Sequence, residues 1–262
     1  EVVRRLPPAC RCLCLDMPGH GQSPAPPQVN WRAAAQEVVK VLTDPWLAVN
    51  GVAVLAGHSM GGYIAALVAA LMPARSFSAL LLIDPVIMPP ARYVDNSPNY
   101  LRTEENRQKT VLRRKASFTD EAEMLKRFAD RFPYVTWRPQ VLQDYCAYAL
   151  GQPTTDNVRP LLCTPAIEAA NYAYSDCNPE ADLSSELEVL AERCQRTTVL
   201  RAPPDPEGAL FKGSPTDPVL AKRLGSDSID VVLEEVNHFI PMMVPETVAS
   251  HIQQLMSPPA RF

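Results

Sequence analysis

The pentapeptide Gly57–Gly61, which reads Gly-His-Ser-Met-Gly, constrains the fold of this chain more than any other feature. It follows the apolar run Val52–Ala56. Apolar residues at helical spacing come after it, at Ile64, Leu67, Val68 and Leu71. This context predicts that Ser59 lies on a sharp turn between a buried strand and a helix. The two flanking glycines would leave room for the turn, and Gly62 would allow close packing of the helix.

Short apolar runs alternate with helical patterns along much of the chain. The predicted strands are Cys10–Asp16, Val52–Ala56, Ala79–Ile83, Thr197–Leu200 and Ile229–Leu233. We also predict a helix over Trp31–Leu42 and a closing helix that carries Val248 and Ile252. Strands that alternate with helices predict an α/β fold, with a mostly parallel, doubly wound sheet covered on both faces.

Residues 88–193 break this alternation and are richer in charged side chains and in aromatic rings. We predict an inserted helical cap over this range, with helices near Glu121–Arg131 and Gln140–Leu150, and a core built from residues 1–87 and 194–262. The range includes the aromatic residues Tyr93, Tyr100, Trp137, Tyr145 and Tyr172. These rings could form the roof of a pocket or the hydrophobic core of the cap itself.

Composition narrows the classes of partner. The chain has 262 residues, 47% of them hydrophobic, and a formal net charge of -4 at pH 7. A chain of this kind can bury a sizeable core, and it has no general electrostatic reason to bind nucleic acid or an anionic membrane. No apolar run is long enough to span a bilayer. We expect a small-molecule substrate, no nucleic acid and no membrane span, and the pattern indicates no oligomeric state.

The cysteines favour a reducing compartment and do not indicate a metal site. Cys10, Cys12 and Cys14 alternate, so in a strand they would share one face, but no histidine or carboxylate is spaced around them as a ligand. An odd total of seven favours a reducing environment. We therefore expect a cytoplasmic protein. The peroxisome is the alternative, because Ala260–Phe262 distantly resembles a peroxisomal address.

A serine nucleophile needs a base, and the chain has four histidines, at positions 20, 58, 238 and 251. His20 lies in the first loop, His58 directly precedes the serine, and His251 lies inside the closing helix. His238 follows the last predicted strand and precedes a proline-containing loop, so it can reach the carboxyl edge of the sheet. His238 is therefore the predicted general base.

Two carboxylates compete for the third position. Asp205 follows the fourth predicted strand and gives the chain order serine, aspartate, histidine, which favours it. Asp84 ends the third predicted strand and could equally reach His238, because neighbouring strand ends open onto one crevice. The backbone N–H of Met60, at the start of the helix, is the predicted donor to an oxyanion.

Three segments resemble motifs of the α/β-hydrolase family. Asp16–Ser23 resembles its D-x-x-G-H-G-x-S loop, Gly57–Gly62 its nucleophile elbow, and His238–Glu246 its histidine loop. Ile83–Ile87 and Trp137–Leu142 further resemble a capped subgroup that includes fungal toxin-biosynthesis and peroxisomal lipase-like hydrolases. The resemblance implies a serine hydrolase without a metal or organic cofactor. In some capped relatives the acid follows the strand that leads into the cap, which keeps Asp84 in consideration.

The sequence departs from the family pattern at its start. Family members usually have earlier strands and a loop containing His-Gly that supplies a second oxyanion N–H, about 30 residues before the D-x-x-G-H-G loop. Here that loop begins at Asp16. Our hypothesis is an N-terminally incomplete form whose sheet lacks its first strands and whose activity is impaired.

Two functions are compatible with these patterns. The first is a serine hydrolase that acts through a Ser-His-Asp triad on an ester, thioester or similar carbonyl bond of a small, partly apolar substrate. The second is a non-catalytic ligand-binding or interaction protein that keeps the hydrolase scaffold.

Overall fold

The computed structural model describes residues 1–45, 52–175, 178–193, 195–204 and 212–257. The chain divides into two compact units. The first unit comprises Glu1–Cys12, Trp31–Pro90 and Asp182–Phe262. The second comprises Leu13–Asn30 and Ala91–Ala181.

Helices and strands alternate through the first unit, whereas the second is mostly helical and contains two short strands that pair antiparallel. The helices are α1 (Trp31–Thr43), α2 (Met60–Leu71), α3 (Pro90–Tyr93), α4 (Pro98–Leu112), α5 (Glu121–Phe128), α6 (Pro139–Tyr148), α7 (Pro165–Ser175), α8 (Ser184–Glu192), α9 (Leu220–Arg223), α10 (Ile240–Met243) and α11 (Pro245–Met256). The strands are β1 (Val52–His58), β2 (Phe77–Ile83), β3 (Ser117–Phe118), β4 (Arg159–Pro160), β5 (Thr197–Arg201) and β6 (Ser228–Val232).

The main sheet has the strand order β1-β2-β5-β6, and its neighbouring strands are parallel. Strand β2 is buried on both faces, which explains its nearly continuous apolar sequence. Its residues Ala79, Leu81 and Ile83 share a core with residues of α10 and α11. Leu80 and Leu82 point to the opposite face, because side chains alternate along a strand, and they are also fully buried.

The predicted parallel, helix-covered sheet is confirmed, and so are the strands predicted near residues 52, 79, 197 and 229. The strand predicted at Cys10–Asp16 is wrong, because these residues adopt no strand structure. The N–H of Cys10 instead closes a turn on the carbonyl of Pro7. An apolar alternating run becomes a strand only where another strand pairs with it, and sequence periodicity does not report that pairing.

The second unit has its own hydrophobic core, formed by Phe118, Met124, Leu142, Cys146 and Leu150. Aromatic rings pack around this core on one another. The rings of Phe128 and Tyr134 stack with centroids 4.3 Å apart, and Trp137 and Tyr145 lie edge to face at 5.7 Å. The sequence left open whether the aromatic residues of this range form a pocket roof or the core of the unit. The packing of Trp137 and Tyr145 fits a core of the unit itself.

The division into units differs from the predicted range 88–193 in three places, the first being that residues 88–90 group with the sheet. Residues 182–193 group with the sheet, because α8 packs on α2 and α9 and buries Leu187 and Leu190 almost completely. Residues 13–30 group with the second unit, where Gly19 lies against Ile167. That the second unit acts as a cap stays a prediction. In the part of the chain that the structure describes, no helix is both long and apolar enough to cross a membrane.

Candidate active site

Strands β1 and β2 end side by side, and this register places two candidate residues next to each other. His58 pairs with Ile83 at the last position of the ladder. Ser59 and Asp84 follow immediately, and the N–H of Ser59 donates to the carbonyl of Ile83 across 3.0 Å. The N–H of Asp84 donates across 2.7 Å to Leu200 on the next strand. Both residues therefore leave the same edge of the sheet from anchored backbone.

The backbone at Ser59 is strained. Its φ of 57° and ψ of -123° lie in a region that residues with a side chain rarely adopt, at a cost of about 1–3 kcal/mol. Three N–H groups hold the turn by donating to the carbonyl of Ser59: Gly62 at 3.0 Å, Tyr63 at 3.2 Å and Val86 at 3.2 Å. Asp84 has a positive φ as well, of 42°. The surrounding structure thus fixes both residues in unusual conformations.

Two of the three glycines at the turn are required by space. A Cβ at Gly57 would lie 2.0 Å from the carbonyl oxygen of Gly61, and one at Gly62 would lie 2.8 Å from Cβ of Pro85. A Cβ at Gly61 would meet nothing within 4 Å. The predicted roles of Gly57 and Gly62 are confirmed, and that of Gly61 is wrong. The sharp turn brings residue 61 close to Gly57 through its backbone oxygen and not through its Cα.

His238 lies between the serine and the carboxylate. Its Nε2 lies 2.9 Å from Oγ of Ser59, and its Nδ1 lies 2.7 Å from Oδ2 of Asp84. The side chains of His238 and Asp84 are 5% and 0% exposed. Because a carboxylate only accepts hydrogen bonds, the proton of neutral His238 belongs on Nδ1. Nε2 is then left as an acceptor that faces the serine hydroxyl.

The second oxygen of the Asp84 carboxylate is also held. Oδ1 accepts a hydrogen bond from Oγ of Ser214 at 2.5 Å and one from the N–H of Ala202 at 3.2 Å. The Ser214 hydroxyl in turn accepts from the N–H of Thr216 at 3.1 Å. Thr216 donates its own hydroxyl to the carbonyl of Pro85 across 2.8 Å. Asp84 is therefore buried with hydrogen bonds on both oxygens, as an ionised carboxylate requires.

The structure brings Ser59, His238 and Asp84 together. Asp205, the other candidate for the acid, lies outside the described residues. Met60 is the first residue of α2, a position at which an N–H has no acceptor within its own helix. Its role as a donor to an oxyanion stays a prediction. Of the remaining histidines, His20 belongs to the second unit and His251 to α11.

Two side chains outside the predicted set of site residues also contact the site. Nε2 of His58 lies 2.7 Å from the backbone carbonyl oxygen of His238. Burial, reinforced by the neighbouring charge of His238, lowers the pKa of His58 from 6.5 to about 3. The second is Ser214, which contacts Asp84 from 130 residues away in the chain. Contacts over such separations leave no local pattern, so no signal in a single sequence could have revealed them.

The fold and this arrangement define an α/β protein with a serine at a strand-to-helix elbow. A model of the alpha/beta hydrolase family matches residues 1–251, and the chain belongs to that family. Membership of the family supports hydrolysis as the general class of activity. No curated protein sequence matches the chain.

Solved structures give the same fold at low sequence identity. The peroxisomal alpha-beta-hydrolase Lpx1 of Saccharomyces cerevisiae is 19% identical, with a TM-score of 0.67 over 94% of this chain and 67% of that one. An E-2-(acetamidomethylene)succinate hydrolase is 20% identical, with a TM-score of 0.66 over 92% and 79%. The thioesterase domain from the curacin biosynthetic pathway is 19% identical, with a TM-score of 0.63 over 91% and 79%. At these identities the likeness is one of fold.

Proposed function

We propose that this chain is a serine hydrolase that cleaves an ester, thioester or similar carbonyl bond of a small, partly apolar substrate. Ser59 is the nucleophile, His238 the general base and acid, and Asp84 the carboxylate that orients His238. One observation carries the proposal: both ring nitrogens of the buried His238 have a partner, Ser59 at 2.9 Å and Asp84 at 2.7 Å. This geometry is the one required for activation of a serine hydroxyl.

Acylation begins when Oγ of Ser59 attacks the carbonyl carbon and Nε2 of His238 takes the hydroxyl proton. The carbonyl oxygen gains the negative charge, and the N–H of Met60 at the start of α2 stabilises it. Asp84 stabilises the imidazolium through Nδ1. When the tetrahedral adduct collapses, the bond to the leaving group breaks and His238 returns the proton to that group.

Deacylation repeats these steps with water. The oxygen of a water molecule attacks the acyl carbon while His238 removes a proton from that water. The Met60 N–H again donates to the oxyanion. Collapse then releases the acid and returns the proton to Oγ of Ser59. The cycle balances with water as the only co-reactant.

The bond type in the proposal draws support from the fold neighbours. One of them is described as a thioesterase domain and another as a succinate-derivative hydrolase. Both names denote hydrolysis, and a thioesterase cleaves its bond at a carbonyl, which suits the Ser59, His238 and Asp84 arrangement. The competing function is that of a non-catalytic ligand-binding or interaction protein. In such a protein Ser59 would not be activated as a nucleophile.

A fluorophosphonate probe tests the proposal, because it labels a serine only when a base activates it. The full chain would be compared with Ser59→Ala and with Ser76→Ala as the matched control. Ser76 is a half-buried residue at a bend, whose hydroxyl donates to the carbonyl of Pro73. Thermal unfolding would verify that each sample is folded.

We expect the wild type and Ser76→Ala to be labelled and Ser59→Ala to remain unlabelled. A folded wild type that takes up no probe would overturn the proposal and favour the ligand-binding function. A panel of small oxygen esters and matching thioesters would then assign the bond, by the ratio of kcat/KM for each pair. The proposal includes a cytoplasmic location, with the peroxisome as the alternative, which imaging of the tagged full chain would distinguish.

A further inference from the structure

His58, which directly precedes the nucleophile, contacts the backbone of the base. Its Nε2 lies 2.7 Å from the carbonyl oxygen of His238. The two rings also pack against each other, with centroids 4.9 Å apart and planes tilted by 39°. One short hydrogen bond therefore connects the strand that presents Ser59 to the loop that presents His238.

The base lies outside regular secondary structure. His238 falls between the end of β6 at Val232 and the start of α10 at Ile240. His58, in contrast, is the last residue of β1 and is paired there with Ile83. This bond therefore connects the last residue of a paired strand to a segment without regular secondary structure.

We infer that His58 is a positioning residue, whose Nε2–H holds the main chain of His238 at the distance from Ser59 that proton transfer requires. The inference rests on the proposed function, because His58 acts through His238 and touches no reacting atom. A positioning error of about 1 Å can lower a rate by up to 10²-fold. Loss of this single hydrogen bond can therefore lower kcat.

The direction of the hydrogen bond follows from chemistry. A carbonyl oxygen only accepts, so the Nε2 of His58 must carry the proton. Burial lowers the pKa of His58 to about 3, so the ring is neutral with its proton on Nε2 near neutral pH. A neutral ring also avoids placing a second cation beside His238 when that residue takes the proton from Ser59.

A pair of substitutions isolates the donor. Glutamine at position 58 can place an amide N–H where Nε2 lies, whereas methionine has a similar length and no donor. His58→Gln, His58→Met and the control His251→Met, on α11, would be compared with wild type for kcat and KM on an ester that the wild type cleaves. Thermal unfolding would show that each variant is folded.

We expect His58→Met to lower kcat about tenfold, with KM changed less than about twofold, since a positioning bond acts on the chemical step. His58→Gln should stay within about threefold of wild type in kcat, and His251→Met should match it. Equal kcat values for the methionine and glutamine variants would overturn the inference. If the methionine variant does not fold, a tenfold loss in the folded glutamine variant overturns it as well.

A spectroscopic measurement separates this inference from the proposed function. Nitrogen chemical shifts of 15N-histidine-labelled protein report the tautomer of His58 whether or not the protein turns over a substrate. We expect the neutral Nε2–H form from pH 5 to 8. A protonated ring or the Nδ1–H form would overturn the positioning role alone, whereas absence of probe labelling with the Nε2–H form present would overturn only the proposed function.

Discussion

Nδ1 of His238 and Oδ2 of Asp84 lie 2.7 Å apart, and both side chains are almost completely withdrawn from solvent. The pair joins the loop after β6 to the end of β2, two strands away in the sheet. A carboxylate in this position selects the tautomer that leaves Nε2 free to accept the serine proton, and it stabilises the imidazolium that forms. The identity of the acid is therefore the first assignment to test.

Replacement of Asp84 by Asn should lower kcat by about 10⁴-fold, because an amide permits the wrong tautomer of the histidine while it keeps the shape of the site. The same replacement at Asp205 should change kcat less than about threefold. Steady-state kinetics on both variants measure the difference. A large loss confined to Asp205→Asn would transfer the role of the acid to that residue.

Ser214→Ala should lower kcat about tenfold and the free energy of unfolding by about 1 kcal/mol, because it removes one donor from the buried Asp84 carboxylate. The N–H of Ala202, at 3.2 Å, would remain as the second donor to Oδ1. Steady-state kinetics and urea unfolding measure the two effects. Ser228→Ala is the control, since that hydroxyl bonds to the carbonyl of Leu224. Unchanged kcat in Ser214→Ala would show that Asp84 needs no support from this loop.

The glycines of the elbow should differ sharply in their response to alanine. Gly57→Ala and Gly62→Ala should each lower the free energy of unfolding by at least about 2 kcal/mol, since the new Cβ meets backbone or a rigid proline. Gly61→Ala should leave it unchanged or raise it by up to about 1 kcal/mol, because alanine favours the helix. Urea unfolding of the three variants measures the contrast. Similar losses at all three positions would contradict this account of the turn.

The strain at residue 59 should be measurable without reference to activity. Ser59→Ala and Ser59→Gly both remove the hydroxyl, but only glycine adopts a φ of 57° with a ψ of -123° at little cost. The glycine variant should therefore be more stable than the alanine variant by about 1 kcal/mol, after the greater entropy of the unfolded glycine chain is subtracted. Urea denaturation compares the two. A more stable alanine variant would mean that the backbone relaxes when the hydroxyl is lost.

The stability of the protein should depend on pH through His58. Burial lowers its pKa from 6.5 to about 3, so between these values the unfolded chain binds a proton that the folded chain does not. The free energy of unfolding should therefore fall as the pH drops below about 6.5, by at most about 1.4 kcal/mol per pH unit from this residue.

Comparison of the wild type with His58→Gln at pH 7.5 and pH 5.5 isolates this effect, because other titrating groups are common to both proteins. Relative to the wild type, the glutamine variant should gain up to about 1.4 kcal/mol at the lower pH. Parallel pH profiles for the two proteins would show that His58 titrates normally in the folded state.

The elements of the first unit could be predicted where their cause is local. Val52–Ala56 and Ala79–Ile83 are apolar runs that lie in neighbouring strands of the sheet, and α2 follows Ser59 with helical spacing. His238 could be chosen as the candidate base from its place after the last strand. Cys10–Asp16 has the same local pattern and forms no strand, which shows the limit of periodicity.

The sequence by itself determined the sheet, the elbow at Ser59 and the candidate base, because strand and helix patterns and a strained turn are encoded by neighbouring residues. Only the tertiary structure brings Asp84 to His238, Ser214 to the Asp84 carboxylate, and His58 to the backbone carbonyl of His238. These contacts join residues 130 to 180 positions apart. Their distances depend on how strand ends and loops meet in three dimensions, which no local pattern specifies.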